Sequence, residues 1–302
     1  MASATKAPLI VDVKRSSLDD GPGIRSVVFF KGCPLRCVWC QNPETLSSKA
    51  EIQREPERCA ACGACLPACP ANRARPAAEP EESGQCLLCG KCVDACPAAA
   101  RRIAGQEHDL DQLLELLLRD EPFYRRSGGG VTLSGGEPAV KARWVGKLAA
   151  GLAERSVHVL LETAGHFAWE PFERHLLPHL SAVYFDLKLA DDAAHRRHTG
   201  RGNKRIHETL RNLVATDLDD LLPRVPLIPG ITADTDNLMA LAELLDELGL
   251  RRVALLPYNP LWIPKRTSLG LDLPYGHADW MPNEEVEGCR EIFTSRDIEV
   301  IG

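Results

Sequence analysis

The sequence predicts an α/β fold, a partial (β/α)6 barrel of the TIM type, interrupted near its N-terminus by a small cysteine-rich insertion. Three observations carry this expectation. Short apolar runs alternate with longer amphipathic stretches, as parallel strands joined by right-handed crossover helices do. The alternation yields six β–α units, fewer than the eight of a closed barrel. Of the 12 cysteines, all but Cys289 lie between Cys33 and Cys96, in a stretch that breaks the alternation.

Along the chain the strand candidates are 26–30, 131–134, 157–162, 182–187, 222–228, 252–256 and 297–301. The run Ser26-Val27-Val28-Phe29-Phe30 is almost wholly apolar, as a strand covered on both faces must be. Helical spacing is clearest in 109–119, where Leu110, Leu113, Leu114, Leu117 and Leu118 fall on one face. Stretches 140–155, 169–180, 203–216, 235–248 and 283–295 read similarly. Segment 51–105 reads as a separate unit, with linkers near 45–56 and 98–108. The domain division is therefore 1–50 and 106–302 for the barrel and 51–105 for the insertion. Missing barrel units leave a lateral mouth, which a large substrate would need.

Composition narrows the function. The chain has 302 residues, 44% hydrophobic and 26% charged, values close to those of globular proteins. Net charge is 36 − 42 = −6, so there is no basic footprint for nucleic acid. No apolar run approaches the ~20 residues of a membrane span. The first residues lack the apolar core of a signal peptide, which leads us to expect a cytoplasmic protein.

The cysteines define the chemistry. A disulfide framework suits short secreted chains. This chain is long, lacks an export signal and has an odd number of cysteines in the cluster. Residues 59–69 read Cys59-x2-Cys62-x2-Cys65-x3-Cys69 before Pro70, and residues 86–96 repeat it as Cys86-x2-Cys89-x2-Cys92-x3-Cys96 before Pro97. This is the pattern of two-cluster bacterial ferredoxins, in which the fourth cysteine of each run crosses to the other cluster. Cys59, Cys62, Cys65 and Cys96 are thereby assigned to one [4Fe–4S] cluster and Cys86, Cys89, Cys92 and Cys69 to the other. Zinc sites more often use two separated CxxC pairs. A third group, Cys33-x3-Cys37-x2-Cys40, has no evident fourth partner. Three ligands would leave one iron open to a small molecule, and the loop follows a predicted strand, where α/β folds place active sites.

These residues resemble the radical S-adenosylmethionine (SAM) superfamily, and more narrowly the activating enzymes of glycyl radical enzymes. The narrow resemblance rests on Asp20-Gly21-Pro22-Gly23-Ile24-Arg25 and on Phe29 to Glu44, followed at once by the two-cluster insertion. Further matches are Ser134-Gly135-Gly136-Glu137-Pro138, Glu162-Thr163-Ala164-Gly165, Asp186-Leu187-Lys188, His195 with Thr199-Gly200, and Ile228-Pro229-Gly230. Departures are small: Ser26 stands where Thr is usual and Ala164 where Cys is frequent. The resemblance implies three [4Fe–4S] clusters and SAM, reductive cleavage of SAM to a 5′-deoxyadenosyl radical, and hydrogen abstraction from a backbone glycine of a partner enzyme. It also implies an electron donor of the flavodoxin or ferredoxin kind.

Individual positions carry competing readings. The glycines of Gly135-Gly136-Glu137 suit a close approach to a ligand, with Glu137 accepting from the SAM ammonium; a tight turn is the plainer alternative. Asp186 and Lys188 share a strand face and form either a structural ion pair or SAM contacts. Trp39, the residue before the third ligand, either packs or lies against the adenine. Gly128-Gly129-Gly130 reads as a flexible connection. His195 and His198 sit on a polar helix and read as solvated or capping residues, with His195 also a catalytic candidate. Arg224 is either structural or near SAM, and Cys289 is a small core residue. Rival functions are a radical SAM enzyme acting on a small molecule or peptide, and a pure electron carrier. The incomplete third cysteine set argues against the carrier.

Overall fold

A computed structural model describes residues 7–79 and 85–301. The outer ends of the assigned barrel ranges and residues 80–84 of the insertion lie outside the described residues. In chain order the strands and helices are β1 (Leu9–Ser17), β2 (Arg25–Phe30), β3 (Glu51–Arg54), α1 (Cys65–Ala68), α2 (Lys91–Asp94), β4 (Arg101–Ala104) and β5 (Gln106–Glu107). They continue with α3 (Leu110–Leu118), α4 (Glu121–Ser127), β6 (Gly130–Gly135), α5 (Ala142–Ala153), β7 (His158–Thr163), α6 (Trp169–His175) and β8 (Ala182–Asp186). The remainder is α7 (Asp192–Thr199), α8 (Lys204–Val214), β9 (Asp220–Leu227), α9 (Thr235–Glu247), β10 (Arg252–Pro257), α10 (Trp262–Ser268), α11 (Asn283–Thr294) and β11 (Glu299–Ile301).

The main sheet runs β11-β10-β9-β8-β7-β6-β2-β1-β5. From β2 to β11 every pairing is parallel, with Val27 opposite Thr132, Leu161 opposite Val183 and Asp186 opposite Arg224. All seven strand candidates are found. The two end strands of this order, β11 and β5, do not pair, so the sheet stays open. Strands β1 and β5, antiparallel at one edge, were not anticipated. Alternating burial is weak in β1 and absent in two-residue β5, so neither carries a period in its sequence.

Helix ends follow local chemistry. Asp109, Asp191 and Asp234 each accept a backbone N–H at the first turn of α3, α7 and α9, a cap worth about 1 kcal/mol. The helix expected over 169–180 instead stops at His175 and resumes as one 3-10 turn, Leu177–His179. Pro178 lacks the N–H and clashes with the preceding turn. The core is apolar and continuous, with Phe30, Phe172, Phe185 and Phe293 fully buried; each contributes roughly 1.5–3 kcal/mol by leaving water.

Gly128-Gly129-Gly130 corrects the expected flexible connection. Gly128 ends α4 in the left-handed region. A Cβ on Gly129 would sit 1.9 Å from the Ile24 carbonyl oxygen, and one on Gly130 would sit 2.0 Å from that of His158. Backbone crosses backbone there, so Gly129 and Gly130 are packing residues and Gly128 is a helix cap.

The segment between β3 and β4 is different. Its ends are joined by antiparallel pairing of Glu51–Arg54 with Arg101–Ala104. Among the described residues its own buried apolar cluster is Cys65, Ala74 and Cys92, with Ile52, Cys69 and Val93 against it.

Candidate active site

The loop carrying Cys33, Cys37 and Cys40 leaves the carboxyl end of β2 and is strapped down on two sides. Gly32 N–H donates to the Thr45 carbonyl (2.6 Å) and Cys33 N–H to that of Leu46 (3.2 Å). Arg36 N–H donates to Thr199 (2.7 Å) and Val38 N–H to His198 (3.0 Å), at the end of α7. The amides on either side of Cys37 are thus fixed by carbonyls of Thr199 and His198, far along the chain. Burial pushes all three thiols up, Cys40 to about 12, and Lys188 pulls Cys37 and Cys40 part of the way back. The loop therefore disfavours three bare thiolates and suits a ligand that takes their charge.

Gly135-Gly136-Glu137 lies beside this loop. Gly136 N–H donates to the Phe30 carbonyl (2.8 Å) and Glu137 N–H to that of Gly32 (3.0 Å), prolonging the β2–β6 pairing into the cysteine loop. A Cβ on Gly136 would come within 2.5 Å of the Gly32 oxygen. The missing Cβ lets the Gly136 backbone pass close to the Gly32 carbonyl. The Glu137 carboxylate is buried and accepts from Thr163 Oγ1 (2.8 Å) and Ala164 N–H (3.0 Å), and burial raises it to about 7 against these donors. Trp39 is buried in the barrel core.

Asp186 and Lys188 do form an ion pair, Nζ to Oδ2 3.2 Å, within a longer charged chain. Arg224 Nε donates to Asp186 Oδ1 (2.9 Å), and another arm of the guanidinium holds Glu162, which also accepts from Ser134. The Arg224 guanidinium lies 5.5 Å from the centroid of the Tyr184 ring. Burial pushes the Asp186 carboxyl up, but Arg224 and Lys188 together bring it below the usual carboxylate range. Lys188 stays charged: burial pulls it down, and Asp186 and Cys37 more than restore it. Tyr184 is a site residue the sequence did not single out, and Ser134 and Glu162 entered only as parts of matched motifs. Their signal was position: each lies at or near the carboxyl end of a parallel strand.

His195 corrects the expectation of a solvated or capping residue. It is 1% exposed. Its Nδ1 donates to the Arg201 carbonyl (2.6 Å), and its Nε2 is buried without a partner. Burial lowers its pKa to about 4. His195 acts on the cysteine loop indirectly, through the α7 terminus that receives Arg36 and Val38. Arg25, in the first signature stretch, is fully buried at the opposite end of β2, where it holds Thr132 Oγ1 (2.6 Å) and the Val131 carbonyl (2.8 Å). Cys289 is buried on α11, as expected.

The insertion gathers its thiols into two sets. Cys69, Cys86, Cys89 and Cys92 line one small cavity, with Ile52 and Gly90. Cys59, Cys62, Cys65 and Cys96 line a second, with Ala98, Ala100 and Arg101. Each set takes three cysteines from one run and the fourth from the other. Among the described residues, no three His, Cys, Asp or Glu side chains gather tightly enough to hold a single metal ion. No helix among them is long and apolar enough to cross a membrane.

The radical SAM superfamily profile matches residues 27–245. The isethionate sulfite-lyase activating enzyme of Oleidesulfovibrio alaskensis is 37% identical over 280 residues, 88% of each chain. The trans-4-hydroxy-L-proline dehydratase activating enzyme of Clostridioides difficile is 38% identical over 258 residues, 83% of this chain and 84% of that protein. Among solved structures, Streptococcus suis SuiB bound to precursor peptide SuiA aligns with TM-score 0.52 at 11% identity, over 89% of this chain and 46% of that one; the likeness is one of fold. The chain belongs to the radical SAM superfamily and, within it, to the activating enzymes of glycyl radical enzymes.

Proposed function

We propose that the chain activates a glycyl radical enzyme, generating a 5′-deoxyadenosyl radical at a [4Fe–4S] cluster on Cys33, Cys37 and Cys40 and removing hydrogen from a backbone glycine of its partner. The carrying observation is the incomplete set of three thiols, Cys37 buried and Cys33 and Cys40 half-buried, beside a largely buried chain of charge at the carboxyl end of a parallel sheet. Family membership supplies the reaction class. A cluster on these thiols would supply one low-potential electron to break the S–C5′ bond of SAM, leaving methionine and the radical.

The chain's own residues bind and orient. Lys188 is a buried cation suited to the SAM carboxylate, and Asp186, held ionised, orients Lys188. Glu137, raised to about 7 by burial, would ionise fully against the SAM ammonium. Gly135 and Gly136 contribute backbone at the edge of the same loop. Trp39 forms the apolar wall on which the adenine would rest. Enclosure by these residues keeps water from the radical.

The cysteine-rich insertion, 51–105, is proposed as a ferredoxin-like unit holding the second and third clusters, with Cys59, Cys62, Cys65 and Cys96 on one and Cys86, Cys89, Cys92 and Cys69 on the other. Support comes from the two four-thiol cavities and from the meagre apolar core. A unit of this size needs a staple beyond its hydrophobic contacts, and metal ligation is folding energy. It would relay electrons from a flavodoxin or ferredoxin in the cytoplasm, where thiols stay reduced. The partner is a protein, because the relatives are named for the lyase or dehydratase that each activates. The second reading, a radical SAM enzyme acting on a small molecule or free peptide, lacks that support. The test is anaerobic incubation with SAM, reductant and a panel of glycyl radical enzymes. A glycyl radical EPR doublet with one of them is expected; product from a metabolite and no doublet with any partner would replace this reading with the second.

A further inference from the structure

Arg101 is the first residue of β4, paired with Arg54 of β3 at the root of the insertion. Strand pairing fixes its backbone, and its side chain runs inward to 3% exposure. One arm of the guanidinium, Nη1, donates to Cys92 Sγ (3.7 Å). The other arm, Nη2, donates to the Arg75 carbonyl. The same side chain lines the cavity of Cys59, Cys62, Cys65 and Cys96, although Cys92 belongs to the other set. One buried cation therefore contacts a thiol of one set and lines the cavity of the other.

We propose that Arg101 is an electrostatic bridge that raises and couples the reduction potentials of the two clusters in the insertion. This rests on the reading that both thiol sets hold clusters. Accepting an electron adds one negative charge to a cluster. A guanidinium nearby stabilises the reduced form more than the oxidised form, and an N–H directed at a ligating sulfur acts in the same direction. Burial strengthens the effect, because charge is poorly screened away from water. Arg101 donates to Cys92 and only lines the other cavity, so the cluster of Cys69, Cys86, Cys89 and Cys92 should feel it more. The result is an ordered pair: the Cys92 cluster is the easier to reduce, and an electron on one cluster lowers the other's share of the same cation. Only a long, forked, permanently charged side chain can reach a thiol of one set, the wall of the other and the Arg75 carbonyl together.

The test uses the full chain, anaerobically reconstituted, as wild type, Arg101→Gln and Arg101→Lys. Iron content is measured first, followed by EPR-monitored redox titration with dithionite. Arg101→Gln should keep its iron and move both insertion potentials to more negative values, the Cys92 cluster more than the other. Arg101→Lys should move them less. The potential of the Cys33 loop cluster should be the same in all three proteins and serves as the internal control. Unchanged insertion potentials in Arg101→Gln would overturn the proposal. Loss of insertion iron from either variant would also overturn it, making Arg101 a residue that holds the unit together. Iron for one cluster only in the wild type would refute the two-cluster reading itself, an outcome distinct from both.

Discussion

Arg224 and Asp186 lie directly opposite one another on the adjacent parallel strands β9 and β8, and the guanidinium reaches the carboxylate at 2.9 Å while also holding Glu162 on β7. Three strand ends are joined by one side chain. The pairing presents Lys188, itself bound to Asp186, toward the loop of Cys37. Charge that would be unstable if buried alone is kept in place by its partners.

Replacing Arg224 with Met leaves the partly buried Glu162 carboxylate without its cation and Asp186 with Lys188 alone. We expect a loss of about 3–5 kcal/mol in stability and a large loss of SAM affinity. Arg224→Lys should restore part of each, since it keeps the charge without the fork. Urea unfolding with an unchanged slope, and equilibrium SAM binding, measure the two effects. A midpoint equal to wild type would show that the chain of charge is not structural.

Iron and sulfide in reconstituted protein should approach about twelve each, for three four-iron clusters. Cys37→Ala should abolish SAM cleavage with any reductant. Cys62→Ala should retain cleavage with a strong artificial reductant and lose most of it with a protein donor. Equal loss in both assays would make the insertion structural instead of a relay, and tightly bound zinc would contradict the cluster assignment.

His195 gives a pH signature. Its folded pKa of about 4 lies below its ordinary 6.5, so the unfolded chain binds more protons between these values. Its contribution to stability is fully present above pH 6.5 and is lost as pH falls toward 4, by an amount on the order of 2 kcal/mol. His195→Asn keeps a donor for the Arg201 carbonyl and should flatten that part of the stability profile. An identical profile in the variant would mean that His195 does not titrate in this window.

Gly130→Ala should cost more than about 3 kcal/mol, because the new methyl would meet the backbone oxygen of His158 and no rotamer relieves it. A flexible connection would tolerate the same change with almost no shift in urea midpoint, so the two accounts separate cleanly.

Much of the architecture was legible in the sequence. Parallel strands are buried on both faces, so Ser26–Phe30 and Ala182–Leu187 announce themselves as apolar runs. The strand Leu9–Ser17, next to the sheet edge, does not, since half of it faces water and it alternates poorly. Cysteine spacing anticipated which thiols share a cavity, because a two-residue gap confines three thiols to one tight turn. The charged chain was only partly legible. Asp186 and Lys188 share a strand face by period, whereas Glu162 and Arg224 join them through pairing between strands distant in sequence. His195 was misread because the polar neighbours on α7 mask its two inward-facing positions, His195 and Thr199.

The measurement that bears most directly on the account is transfer of deuterium. A partner glycyl radical enzyme carrying α-deuterated glycine is incubated anaerobically with this protein, SAM and reductant, and the 5′-deoxyadenosine is examined by mass spectrometry. The account predicts deuterium in the 5′-deoxyadenosine in proportion to the glycyl radical formed, and slow, uncoupled cleavage without the partner. Unlabelled 5′-deoxyadenosine from every such partner, with label arriving instead from a deuterated metabolite, would contradict it.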